Sequence, residues 1–106
     1  MTSLPGTWSL TMKTPIGSIQ ATMTFDYSGD TLTGIATGGG ETIELLDVQS
    51  VAVDDGEHVT WSQSIRKPMR LNLDFDVVVH GDSMAGVSRA GRLPKSRVSG
   101  TRLPAE

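Results

Sequence analysis

The sequence predicts an all-β protein: an eight-stranded antiparallel up-and-down β-barrel formed by residues 1–106 as a single domain. Apolar and polar residues alternate with period two along most of the chain, which is typical of strands that bury one face. A short motif, a glycine beside one or more acidic residues, recurs at Gly29, Gly56 and Gly81, at intervals about the length of one β-hairpin. Closing eight strands into a barrel removes the two exposed edges of an open sheet. A flattened sandwich is the main alternative.

The first four predicted strands follow from this alternation. Residues 8–12 place three apolar side chains on one face, and residues 19–27 alternate apolar and polar side chains without a break. A third strand covers residues 32–37 and ends at a run of three glycines. A fourth covers residues 43–53, where the adjacent Leu45 and Leu46 interrupt the alternation and indicate a β-bulge.

The last four predicted strands are residues 59–65, 71–79, 84–88 and 98–102. In the first of these, Trp61 and Gln63 share the inward face, and Leu73 lies on the inward face of the next. A tight turn is predicted at each of these glycine motifs, because glycine readily adopts a positive φ and the aspartate side chain accepts hydrogen bonds from the local backbone. No window of the chain predicts a helix.

Composition narrows the class of protein. The chain has no cysteine and two histidines, which argues against disulfides, thiolate metal sites and histidine-ligated metals or haem, so no metal and no cofactor is expected. A formal net charge of -3 argues against nucleic-acid binding. The chain offers no signal-peptide pattern and no apolar stretch long enough for a membrane span, so we expect a cytoplasmic protein.

Two short motifs near the termini carry a resemblance to a known family. Gly6-Thr7-Trp8 opens the first strand and Gly100-Thr101-Arg102 ends the last. They resemble the Gly-x-Trp and late Arg of the calycin superfamily, which comprises lipocalins, fatty-acid-binding proteins and avidins, and the whole chain is similar to small bacterial lipocalin-like domains of unassigned function. The resemblance implies that Arg102 packs across the ring of Trp8 at the floor of the barrel; the alternative is that Trp8 is simply a core aromatic. The predicted strands are shorter than those of a lipocalin, and a lid is absent.

The predicted loops divide the charges between the two ends of the barrel. All but one of the nine Lys and Arg residues lie at or beside the end opposite the Gly-and-acid turns. These cations are Lys13, Arg66, Lys67, Arg70, Arg89, Arg92, Lys95 and Arg97. A basic opening favours the approach of anions, so the leading hypothesis is a cavity that binds a small apolar or aromatic acid. Its predicted ligand-binding residues are Trp61, Met23, Leu73 and Met69 for the apolar body, and Arg66, Lys67, Arg70 and Arg92 for the anionic head group.

Two alternatives remain open. A cofactor-free isomerase, cyclase or lyase would use Glu44 or Asp47 as general base, because the predicted bulge leaves their direction open and an inward carboxylate has a raised pKa. Gln63 or Tyr27, both expected inside, would polarise a carbonyl group. The second alternative is a filled barrel that acts as a structural or oligomerisation module. A homodimer is compatible with each hypothesis.

Overall fold

The computed structural model describes residues 4–14, 17–38, 40–65, 71–91 and 94–104. Within these ranges the chain forms nine β-strands in one antiparallel sheet. No helix among these residues is long and apolar enough to cross a membrane. The strands are β1 (Gly6–Thr14), β2 (Gly17–Ser28), β3 (Thr31–Gly38), β4 (Glu41–Glu44), β5 (Leu46–Val53), β6 (Gly56–Ile65), β7 (Leu71–His80), β8 (Ser83–Arg89) and β9 (Ser96–Arg102).

The order of the strands in the sheet is β4-β3-β2-β1-β9-β8-β7-β6-β5. Consecutive strands are neighbours everywhere except at β4 and β5, and β1 pairs with β9, so the up-and-down meander that the sequence predicts is confirmed. The two strands at the ends of this order, β4 and β5, are separated along the chain by Leu45 alone. The sheet must therefore curl back on itself, which gives it the form of a barrel.

The prediction of eight strands is wrong by one because the predicted fourth strand divides at Leu45. Its first part, β4, pairs with β3, and its second part, β5, pairs with β6. The pairing of β5 shifts register between Leu46 and Gln49, and Asp47 adopts a left-handed φ of 52°. The bulge thus lies just after the Leu45-Leu46 pair, and it turns the chain from one neighbouring strand toward the other.

Leu45 joins the two ends of the sheet. Its backbone N–H donates a hydrogen bond of 2.8 Å to the carbonyl oxygen of Gly34 in β3. Its side chain is only 6% exposed and occupies the space beside Gly34, where an added Cβ would lie 2.7 Å from Leu45 Cδ1. A glycine at position 34 therefore allows the leucine to close the barrel-like sheet.

The three predicted tight turns are present. Gly29 and Gly81 occupy the first turn positions between β2 and β3 and between β7 and β8, with φ of 65° and 59°. The turn between β5 and β6 differs, because its positive φ of 64° belongs to Asp55 and Gly56 already begins β6. These turns define one end of the barrel, the floor; the connections β1–β2, β3–β4, β6–β7 and β8–β9 define the other, the mouth.

The floor is closed by Trp8 and Arg102, as the resemblance implies. The guanidinium carbon of Arg102 lies 4.4 Å from the centroid of the fully buried Trp8 ring. Arg102 also donates hydrogen bonds to the carbonyl oxygen of Pro5, at 2.7 Å, and to Asp82 Oδ1, at 2.9 Å. The Trp8 indole N–H donates to the carbonyl oxygen of Leu4, at 2.9 Å. The N-terminal segment, β9 and the β7–β8 turn are thereby held together.

The closing role of Leu45 predicts a large loss of stability when its side chain is removed. We expect Leu45→Ala to lower the free energy of unfolding by about 2 to 5 kcal/mol, since it removes a buried side chain at the point where the sheet closes. The neighbouring Leu46, which is 54% exposed, provides the control, and Leu46→Ala should change stability by no more than about 0.5 kcal/mol. Urea unfolding measures both. Equal effects of the two substitutions would contradict this account of closure.

The contact between Arg102 and Trp8 predicts that Arg102→Ala lowers the free energy of unfolding by roughly 1 to 3 kcal/mol, because the ring loses its cation and the partly buried carbonyl oxygen of Pro5 loses a donor. The exposed Arg97, on the same strand, is the matched control, and Arg97→Ala should change stability little. Thermal unfolding measured by circular dichroism would compare the two variants with the wild type. An unchanged melting temperature for Arg102→Ala would show that the floor does not depend on this side chain.

Candidate functional site

A small cavity of about 100 Å³ lies in the half of the barrel nearer the mouth. Its walls come from β1, β2, β3, β4, β6, β7 and β9. Apolar side chains form most of the surface, among them Leu10, Met12, Met23, Ile43, Leu73, Phe75 and Val98. Ile19 and Gln20, which also contribute to the wall, are exposed, so the cavity opens toward the β1–β2 connection.

Local sequence explains why space remains here. Ala21 and Ala36 bring only a methyl group to the wall, and Gly38 brings none. Met12 also contributes to the wall, and its sulfur accepts a hydrogen bond from the hydroxyl of the buried Ser88 at 2.8 Å. Small residues on β2 and β3 thus leave volume that the larger residues of the opposite wall do not fill.

The floor half of the barrel is packed instead. Trp61 stacks on Phe75 with ring centroids 4.8 Å apart and an angle of 8° between the rings, and it meets Phe25 edge to face at 5.3 Å. Such aromatic pairs are favourable beyond the area they bury. The remaining buried apolar residues of this half include Trp8, Leu45, Val59, Val77, Val79 and Met84.

The cavity wall contains one polar side chain that is almost completely buried. Gln63, only 5% exposed, follows Trp61 on the inward face of β6. The Trp61 indole N–H donates a hydrogen bond of 3.0 Å to Gln63 Oε1. The polar atoms of Gln63 are therefore connected directly to the aromatic stack beneath the cavity.

The predicted residues for an apolar ligand body lie in or next to this cavity. Met23 and Leu73 line it. Trp61, expected to line it too, is buried between Phe25 and Phe75 and reaches the cavity only through Gln63. The indole ring is large enough to fill the barrel at its level, so the open volume begins above it. Met69 lies outside the described residues, and so do the predicted head-group residues Arg66, Lys67, Arg70 and Arg92.

Three of the predicted catalytic residues face away from the interior. Glu44 and Asp47 are exposed, because Leu45 takes the inward position between them and the bulge then turns Val48 toward the core. Tyr27 is 45% exposed despite its inward parity. It pairs with Leu32 beside the β2–β3 turn, at the end of the hairpin. Gln63 alone of the four is inside.

Two carboxylates that the sequence analysis did not single out point inward. Glu41, half-buried at the start of β4, contributes to the cavity wall. Glu57, 7% exposed at the floor end of β6, accepts a hydrogen bond from the Ser50 hydroxyl at 2.5 Å. Its parity with Val59 and Trp61 in the sequence was a signal that could have identified it. Glu41 has the parity of Ile43 and Leu45, but the predicted fourth strand began only at residue 43 and so left it out.

The outer face of the barrel carries a shallow polar groove across β5, β6, β7 and β8. Cross-strand hydrogen bonds occupy two of its carboxylates: Ser62 Oγ donates to Asp74 at 2.7 Å, and His58 Nε2 lies 2.6 Å from Asp76. Within the described ranges, no group of three or more histidines and carboxylates is placed to hold a metal ion. These observations favour the interior cavity as the candidate site.

Comparisons with known proteins bear on the fold. No protein-family model matches the chain, and no curated protein matches it. The chain is similar to the solved structure of a redesigned beta barrel, with a TM-score of 0.63 and 21% sequence identity over 97% of this chain and 92% of that one. This likeness supports the antiparallel barrel architecture. Ligand, activity and partners have to be argued from the chain itself.

The geometry of the cavity predicts that it can be filled by one larger side chain. Ala36→Val should keep the free energy of unfolding within about 1 kcal/mol of the wild type, since the added methyl groups enter open volume. Gly86, another small residue of the sheet, is the contrast: a Cβ there would collide with the backbone of Asp76, so Gly86→Ala should be clearly destabilising. Urea unfolding tests the pair. Strong destabilisation by Ala36→Val would show that the space is not available.

Proposed function

We propose that this protein binds a small apolar or aromatic molecule with an anionic head group in the cavity of its barrel. The observation that carries the proposal is the buried Gln63 amide in a mostly apolar wall, whose other polar side chains are the exposed Gln20 and the half-buried Glu41. Binding sites for small molecules typically combine apolar walls with a few placed polar groups that orient the ligand. In a filled barrel this amide would serve only to accept the hydrogen bond of the Trp61 indole, whereas here it also lines open volume.

The size of the cavity limits the ligand. An engineered apolar cavity of roughly 150 Å³ holds one benzene molecule, and the cavity here measures about 100 Å³. A ligand of about one ring therefore fits once the flexible Met12 and Met23 side chains adjust, as methionines do readily. The body of a long-chain fatty acid would not.

Charge at the mouth supports an anionic head group. Lys13 pairs in register with Arg97 next to the β1–β2 connection, and Arg89 and Lys95 flank the β8–β9 connection. In the sequence, Arg66, Lys67 and Arg70 belong to the segment that joins β6 to β7, directly after the strand that carries Gln63. A carboxylate whose ring enters the cavity would lie at the end of the barrel that carries the described cations Lys13, Arg89, Lys95 and Arg97.

The test is the binding of benzoate and of its neutral analogue benzyl alcohol, measured by calorimetry and by Trp61 emission. We expect benzoate affinity to fall as salt rises from 0.01 to 0.15 M, because the Debye length shortens from about 30 Å to about 8 Å, while benzyl alcohol affinity stays constant. Changing Arg66, Lys67 and Arg70 together to Gln should flatten the salt dependence without loss of stability, since the sequence predicts a loop here and charges in exposed loops contribute little to stability.

Ala36→Val provides the matched control, because it fills the cavity and leaves the charges in place. Ala36→Val should weaken the binding of both benzoate and benzyl alcohol at every salt concentration. Equal affinity of the wild type for benzoate and benzyl alcohol at all salt concentrations would remove the anionic head group from the proposal. Binding that Ala36→Val leaves unchanged would place the ligand elsewhere.

The catalytic alternative now rests on a different base. Glu44 and Asp47 are exposed, whereas Glu41 contributes a carboxylate to the same cavity wall as the Gln63 amide. A carboxylate and an amide around one small cavity could remove a proton next to a carbonyl group and stabilise the resulting oxyanion. The test is exchange of the α-protons of cyclopentanone in D2O, followed by NMR. Exchange above the uncatalysed rate that Glu41→Gln abolishes would favour an isomerase or lyase; exchange equal in both proteins would favour binding alone.

A further inference from the structure

The hydrogen bond between Trp61 and Gln63 determines which atom of the amide is left for the cavity. An indole nitrogen can only donate a hydrogen bond, whereas an amide side chain has one oxygen that accepts and one nitrogen that donates. The 3.0 Å contact from Trp61 Nε1 must therefore reach Oε1 of Gln63. The chemistry of the donor assigns the orientation of the amide, which electron density often leaves ambiguous.

The amide nitrogen of Gln63 has no hydrogen-bond partner among the described residues. It is also not sealed from solvent, because no fully buried side-chain nitrogen or oxygen in this part of the chain lacks a partner. Gln63 itself lines the cavity, and only 5% of its surface is exposed. Next to the aromatic stack the cavity thus presents an N–H donor whose oxygen counterpart is already occupied, while the half-buried Glu41 lies at the mouth end of the wall.

The aromatic stack holds this arrangement in place. Phe75 lies parallel to the Trp61 ring at 4.8 Å, and Phe25 meets it edge to face at 5.3 Å. The indole ring, 2% exposed, has no room to turn its N–H away from Gln63. A reversal of the amide would place two donors against each other and leave Oε1 as the group facing the cavity.

We propose that Gln63 selects ligands by the direction of the hydrogen bond, so that its amide favours small apolar molecules bearing an acceptor oxygen, as in a ketone or an aldehyde, over molecules that can only donate. Trp61 is the positioning residue that makes the amide a donor toward the cavity. This inference rests on the proposed function and specifies the chemical group that the ligand turns toward β6. Selection of this kind is effective because a buried polar group left unpaired costs more than a good hydrogen bond gains.

The experiment compares three five-membered rings of similar size: cyclopentanone, which only accepts; pyrrole, whose N–H only donates; and methylcyclopentane, which does neither. Calorimetry measures their affinities for the wild type and for two variants. Hydration differs among the three compounds, so the readout is the ratio of affinities within each protein. The hydrocarbon serves as the reference because it responds to cavity volume alone.

Gln63→Leu removes the donor and puts an apolar side chain of similar volume in its place. We expect it to lower the ratio of cyclopentanone to methylcyclopentane affinity by roughly three- to tenfold, the worth of one buried hydrogen bond. Trp61→Phe keeps an aromatic ring but removes the indole N–H, which frees the amide to reverse. We expect it to raise the ratio of pyrrole to methylcyclopentane affinity several-fold.

Each outcome decides something. If both ratios are the same in all three proteins while the compounds bind, Gln63 does not select and the inference is overturned, although the cavity remains a binding site. If none of the compounds binds the wild type, the proposed function fails and the inference fails with it. An increase in the pyrrole ratio confined to Trp61→Phe would support the positioning role, since a change in cavity volume would affect methylcyclopentane equally.

A measurement on the unmodified protein covers the case in which a variant does not fold. The side-chain amide of Gln63 can be followed by 15N NMR during titration. Cyclopentanone should shift the proton resonances of this amide downfield, because they gain an acceptor, and methylcyclopentane should leave them nearly unchanged. Equal shifts with the two compounds would overturn the inference without any substitution.

Discussion

The break at Leu45 is the constraint on which the rest of the structure depends. One stretch of chain, residues 41–53, must pair with β3 through its first part and with β6 through its second. A regular strand cannot turn from one neighbour to the other, so the chain inserts Leu45 without a ladder partner and a left-handed Asp47 after it. The Leu45 backbone bond to Gly34 continues the pairing of β4 with β3, and the chain then passes directly to β5 at the other end of the strand order. A flat sheet would expose two edges, whereas here the ends of the strand order meet.

Closure divides the barrel into two halves with different properties. Toward the floor, Trp8, Phe25 and Trp61 fill the interior, and Arg102 covers the lowest ring while binding the carbonyl group of Pro5. Toward the mouth, the inward residues of β2 and β3 become small and the interior is left partly open. The packed half supplies the stability that lets the other half retain a cavity, since packing and ligand space compete for the same volume in a barrel of this width.

The boundary between these halves is chemically the most informative level of the molecule. Trp61 ends the packed region and Gln63 begins the open one, two residues later on the same face of β6. A donor-only indole beneath an amide leaves the cavity with a donor, so the core imposes polarity on the site above it. The same contact satisfies the buried indole N–H, which would otherwise be costly. This one hydrogen bond therefore both satisfies the buried indole and sets which atom of the Gln63 amide faces the cavity.

Much of the architecture is determined by the sequence alone. Period-two alternation is a local property of the chain, so it predicted the strands, the meander, the inward positions of Met23, Leu73 and Gln63, and the irregularity near Leu45. Local pattern could not determine where the interior stays open, because volume depends on side chains from seven strands that meet only in the folded barrel. The same alternation placed Tyr27 inside, but Tyr27 is 45% exposed. Alternation predicts which face of a strand a side chain lies on, and it does not predict how far other strands cover that face. Glu41 at the cavity and the orientation of the Gln63 amide were decided by the tertiary structure, since both depend on neighbours distant in the chain or on the direction of a single hydrogen bond.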